Sequence, residues 1–346
     1  MFKESSMTIP RSLASAERYS WVDYARGIAI ILVVYRHVVV GLMRADVELS
    51  PNAFNLQEIF YNFRMPLFFV LSGVFVSRSQ QSKTFARILR DRSATILYPY
   101  LLWGAILITL QIIFSRFANS ERSFSDYQYL ITQPRKIDHL WYLLALFNTS
   151  LLYLLLDKLI KSKGIHIVIG AGLHALTLSP YLEHISLVSD LCYFYLYFVC
   201  GVTFSRILLD KQLQTQIFSA KVAVPLLIIF VAGQWFWYTR QDEENSYLPL
   251  FFLITLVGCL VVYMLALYLA RFSSTRWLSY IGEHSLYIYI LHVPVAAMVR
   301  AVMLRIGADL SGVSMVAVCW ICGIALPVII YQALKDYGFK KMFSLK

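Results

Sequence analysis

The chain has 346 residues, 59% of them hydrophobic and only 15% charged, with a mean hydropathy of +0.62. So few charges cannot coat a globule of this size, which excludes an ordinary soluble fold and points to an integral membrane protein. The formal net charge of +11 reads as loops facing the cytoplasm and not as a nucleic-acid surface.

Residues 1–20 form a polar tail with Lys3, Arg11 and Arg18, lacking the apolar core and small-residue cleavage site of a secretory signal. They read as a cytoplasmic tail ahead of one membrane domain over residues 21–340. Apolar runs near spanning length follow at 27–43, 59–76, 95–114, 140–156, 165–179, 187–205, 221–239, 247–270, 280–303 and 312–334. They predict an all-α, polytopic membrane bundle of about ten transmembrane helices. The run at 165–179 is the weakest, being short and holding His166 and His174, so it is either interfacial or buried by its neighbours. Of the 31 Lys and Arg, twenty fall in the amino-terminal tail and the loops on its side, and eight in the opposite loops. By the positive-inside rule both termini face the cytoplasm, and 115–138 is the longest outer loop. The five cysteines, Cys192, Cys200, Cys259, Cys319 and Cys322, all lie in apolar runs and read as packing residues; no metal site is expected.

The first run, Trp21 to Leu42, carries Asp23, Arg26, Arg36 and His37 in an otherwise lipid-compatible segment. Ionisable groups inside a membrane are functional candidates by default. Arg26 and His37 are separated by about 16 Å of helix and only about 20° of rotation, so they share a face. An arginine at the membrane surface can grip phosphate and a deeper histidine can act as a general base, although interfacial anchoring and helix-helix hydrogen bonding are open readings of the same residues. Arg36 points about 100° away from His37, so the two are not expected to face one site fully. Asp190 and Glu283 are its candidate counter-ions.

The second run places Arg64 toward the outer leaflet, and Ser72 with Gly73 deeper; Pro66 and Gly73 fit a kinked packing helix, whereas Arg64 needs an acid, a cavity or a ligand. The basic stretch Arg78 to Arg92, with Arg90 between, follows on the inner side. At the outer mouth of the fourth run, His139, Trp141 and Tyr142 are either an interfacial aromatic belt or a platform on which a sugar stacks. In the ninth run Ser285, Tyr289 and His292 are four and three residues apart and form one polar face.

Together these motifs resemble the acyltransferase 3 family of membrane acyltransferases. The resemblance rests on Arg26, ten residues and His37, preceded by Asp23; on Phe68, Phe69, Ser72 and Gly73; on Leu140, Trp141 and Tyr142; and on Ile281, Gly282 and Ser285 leading to Tyr289 and His292. It covers nearly the whole chain and is most similar to the compact branch without an appended esterase-like domain. It implies acetyl-CoA, or a related acyl-CoA, as cytoplasmic co-substrate and a carbohydrate acceptor (polysaccharide, lipid-linked glycan or oligosaccharide) on the far side of a bacterial inner membrane. On this reading His37 is the base, Ser72, Tyr289 and His292 assist, and Asp23, Arg26, Arg78, Arg90 and Arg92 hold the donor. Arg64, His139, Trp141 and Tyr142 receive the acceptor. Direct transfer and an acyl-histidine step both remain open. The rival classes are a proton-coupled transporter or flippase and a non-catalytic subunit of a polysaccharide export machine.

Overall fold

The computed structural model describes residues 19–113, 122–182, 184–306 and 311–345, and the side chain of Arg78 lies outside the described part. The first eighteen residues, and with them most of the expected tail, also lie outside it, as does part of the expected outer loop. Among the described residues all regular structure is helical. In chain order the helices are α1 (Ser20–Met43), α2 (Pro51–Ile59), α3 (Tyr61–Ser82), α4 (Phe85–Arg92), α5 (Tyr98–Ile113), α6 (Trp141–Leu159), α7 (Lys163–Leu176), α8 (Ser186–Leu209), α9 (Lys211–Gln216), α10 (Ala220–Arg240), α11 (Glu244–Leu269), α12 (Arg276–Glu283), α13 (Ser285–Arg305) and α14 (Gly312–Asp336).

Nine spans among the described residues are long and apolar enough to cross a membrane. A bundle is the form such segments take, because lipid offers no partner for backbone polar groups and a helix satisfies its own. The weak run at 165–179 folds as α7, fourteen residues long. The helices on either side, α6 and α8, start at the same end of the molecule, where Gln133 donates to the His184 carbonyl at 2.6 Å and Arg135 pairs with Asp190 at 2.6 Å. The chain therefore returns through α7, which is shorter than the nine spanning helices. Its two histidines are tied to α8: His166 Nδ1 lies 2.8 Å from the Tyr195 hydroxyl, and His174 Nδ1 donates to the Tyr193 carbonyl at 3.0 Å.

Both described chain ends lie at one end of the bundle. The start of α1 packs on α12, and the close of α14 meets the same helix through a Gln332–Tyr280 hydrogen bond. At the opposite, far end, Arg300 of α13 donates to the Gly41 carbonyl of α1 at 2.6 Å.

Two close crossings set the helix positions. Gly73 of α3 rests on the Phe198 carbonyl of α8 while Gly201 of α8 rests on the Val70 carbonyl of α3, so a β-carbon at either place would overlap backbone. Gly27 of α1 and Gly282 of α12 make the equivalent pair, against Leu278 and Asp23. Small residues let backbones approach and gain dispersion contacts where lipid supplies no hydrophobic drive between helices.

Candidate functional site

Three histidines from three separate segments converge in the half of the bundle nearer the far end. The ring centre of His37 on α1 is 5.0 Å from that of His292 on α13 and 6.0 Å from that of His139, and the last two are 4.8 Å apart. His139 arrives through an irregular turn: Asp138 takes a positive φ of 68°, a region costly for a residue with a side chain. Gln111 donates to the Asp138 carboxylate at 2.7 Å and Arg122 approaches it at 3.5 Å, which holds the turn.

The hydrogen bonds of two of these rings define their tautomers, because a carbonyl can only accept. His292 Nδ1–H donates to the carbonyls of Ile288 and Tyr289 at 2.9 and 2.8 Å, and His139 Nε2–H donates to that of Ile290 at 3.1 Å. The remaining nitrogens, His292 Nε2 and His139 Nδ1, are buried with no protein partner among the described residues. Each therefore presents a basic lone pair inside the cluster. Tyr289 donates its hydroxyl to the carbonyl of His139 and so ties α13 to the turn.

His37, His139 and Tyr289 form the floor of a cavity of about 390 Å³ whose upper wall includes Arg36, Arg64, Arg135 and Trp141. Arg36 and His37, not expected to face one site fully, both line this cavity, which is wide enough for neighbouring residues on one helix to reach it. The counter-ion of Arg36 is not Asp190 or Glu283. The short helix α2 folds over the last turns of α1 and presents Gln57, 2.7 Å from Arg36, and Glu58, 3.5 Å away. Asp190 instead pairs with Arg135, whose guanidinium lies 4.3 Å over the Trp141 ring. Arg64 is 3% exposed, donates to the Leu32 carbonyl at 3.2 Å and sits 5.0 Å over the Tyr61 ring.

A second polar group forms nearer the terminal end. Arg92, at the close of α4 and just before a five-residue π-helical turn, Ser93–Leu97, reaches Ser72 of α3 at 3.4 Å. Arg26 and Arg92 both lie within electrostatic reach of the Tyr142 hydroxyl. Arg26 is partly open to solvent and stands 4.0 Å from Asp23. Ser72 and Tyr289 thus belong to different groups, and Tyr142 lies between them, buried against Phe68, Phe69 and Tyr289 and away from the cavity wall. Arg90 is exposed on α4.

Such an arrangement can move a proton to and from a group at the cavity floor while anionic groups are held at both ends. Comparison with known families decides the kind of protein. The acyltransferase 3 family, described as an acyltransferase domain, matches residues 19–332. The chain belongs to this family. Within it, the nodulation protein NolL of Sinorhizobium fredii is 28% identical over 199 residues, covering 56% of this chain and 50% of that protein. NolL of Mesorhizobium japonicum is 34% identical over 92 residues, 26% of this chain and 24% of that protein. The aligned regions thus span half or less of the length of these acyltransferase 3 relatives. No solved structure matches the chain.

The sequence reading missed the gathering of His139 with His37 and His292, the pairing of Arg135 with Asp190, and Glu58. Only His139 had a local signal, its place beside the Leu140-Trp141-Tyr142 motif; the others depend on segments distant in sequence.

Proposed function

We propose that this multi-pass membrane protein transfers an acyl group, acetyl, from acetyl-CoA to a hydroxyl of a carbohydrate acceptor of surface or extracellular polysaccharide. The terminal end faces the cytoplasm of a bacterial inner membrane, a reading supported by the excess of Lys and Arg on that side. Acetyl-CoA acts as co-substrate there. Its phosphates meet Arg26, with Arg78, Arg92 and the exposed Arg90 as the basic surround. Asp23 orients Arg26 across one helical turn.

The thioester lies between the Ser72–Arg92 group and the histidine cluster. The acceptor enters the cavity from the far end and rests on Trp141, with Arg64 and His139 beside it. His37 removes the hydroxyl proton as that oxygen attacks the thioester carbonyl carbon, and Tyr289, turning its hydroxyl from the His139 carbonyl, donates to the oxyanion that forms. When the carbon–sulfur bond breaks, His37 returns the proton to the leaving thiolate. His292 and His139 help because each keeps an unprotonated nitrogen in the cluster, so the proton gained by His37 has acceptors nearby in a medium that disfavours an isolated charge.

The observation that carries this reading is the cluster of His37, His139 and His292, the first two of which form part of the floor of the arginine- and aromatic-lined cavity. Purified protein given acetyl-CoA labelled in the acetyl group and a panel of glycans should release coenzyme A and yield labelled glycan. Release with water alone as acceptor, or none with any glycan, would refute it.

A further inference from the structure

The cavity walls hold polar groups that no contact among the described residues uses. Asn62, 6% exposed, leaves both atoms of its amide without a partner among the described residues, and Trp237, 4% exposed, leaves its indole N–H so. Both residues line the cavity. They come from different helices, Asn62 from the start of α3 and Trp237 from the last turns of α10, and are bridged by the Tyr61 ring stacked 6.3 Å from Trp237. Leaving buried donors and acceptors unmade costs free energy, so such groups together on one wall point to a ligand rich in hydroxyls.

The charges on the same walls do not cancel. Arg36 has Glu58 and Arg135 has Asp190. Arg64 has no carboxylate within ion-pairing distance among the described residues; Glu58 is in electrostatic reach of it but gives its oxygen to Arg36. A guanidinium stays charged in a protein, and one left buried at membrane depth without an anion is strongly disfavoured. An anion entering through the cavity would supply the missing partner.

We infer that the acceptor is an acidic carbohydrate, its carboxylate or phosphodiester group paired with Arg64 and its hydroxyls with Asn62 and Trp237. This rests on the acyl-transfer reading for the identity of the cavity as the acceptor site, yet binding alone tests it. A carboxylate and a phosphodiester present the same paired oxygens to a guanidinium, and the two sources are separated by the choice of probe.

The experiment measures binding to the purified, detergent-solubilised protein without acetyl-CoA. The probes are a glucuronate-containing tetrasaccharide, its carboxyl-reduced neutral form and a neutral tetrasaccharide bearing one phosphodiester. One or both charged probes should bind at least about tenfold tighter than the neutral one, as a hydrogen-bonded charge typically gives, and the tighter of the two identifies the group. That advantage should vanish in Arg64→Gln and partly return in Arg64→Lys. Asn62→Ala and Trp237→Phe should weaken charged and neutral probes by similar factors. Equal affinity for charged and neutral probes, no measurable binding of either charged probe, or a preference that survives Arg64→Gln would overturn the inference. If Arg64→Gln does not fold, the wild-type comparison and Arg64→Lys decide it. Efficient acylation of neutral glycans alone would sink this inference and leave the acyl-transfer reading standing.

Discussion

Gly282 of α12 lies against the backbone of Asp23 in α1, so close that a β-carbon there would overlap the Asp23 carbonyl oxygen. The first and ninth predicted runs, more than 250 residues apart, are thereby locked together at the point where Arg26 emerges. Gly282→Ala should therefore lower the melting temperature and weaken acetyl-CoA binding, because moving α12 shifts the first turns of α1. Gly172→Ala on α7, where a β-carbon meets nothing within 4 Å, should be neutral or raise the melting temperature slightly, since alanine favours a helix by about 1 kcal/mol. A thermal-melt series on the two variants checks both signs.

The histidines are expected to act as a unit. His37→Gln should lower turnover about 10²- to 10⁴-fold, the usual contribution of a positioned base, with a near-normal melting temperature. His292→Gln should cost less, because it removes support for the base and not the base itself. The double variant should be little worse than His37→Gln, as groups that share one step are strongly non-additive. Full additivity in a double-mutant cycle would show that the two rings work independently.

On the donor side, Arg92→Ala and Arg26→Ala should each raise the KM for acetyl-CoA with a smaller effect on that for the glycan. Lysine at position 26 should restore part of the affinity, since it keeps the charge and loses the paired geometry. Repeating the titration with 3′-dephospho-coenzyme A derivatives tests the assignment: the Arg26→Ala defect should shrink if the lost contact is to that phosphate.

The Arg135–Asp190 pair is asymmetric, with 46% of the arginine side chain exposed but only 2% of the aspartate. Removing the arginine strands a buried carboxylate, whereas removing the carboxylate leaves a guanidinium that water can reach. Arg135→Gln should consequently destabilise the protein more than Asp190→Asn, and thermal melts of the two in the same detergent measure the difference.

Much of the architecture was legible because membrane spans announce themselves by length and hydropathy, and α7 was rightly the doubtful one: it is short, and each of its histidines bonds α8 through Nδ1. The expectation of a shared Arg26–His37 face comes from helical spacing, and the packing role of Gly73 from its missing side chain. What spacing cannot reveal is which runs meet. Nothing near Arg36 in sequence points to Glu58, since the loop that folds α2 back over α1 has no periodicity to read. The turn that carries His139 into the cluster depends on a positive φ at Asp138, a strained conformation that nothing in the local sequence announces.

The central claim is that His37 serves as the base for acyl transfer. It is tested most directly by counting labelled acetyl groups moved from acetyl-CoA to a glycan by wild-type protein and His37→Gln in proteoliposomes, with intact folding verified for both. The account predicts steady transfer by the wild type and at most about one-hundredth of that rate in the variant. A folded His37→Gln protein that transfers acetyl at a rate close to wild type would contradict it.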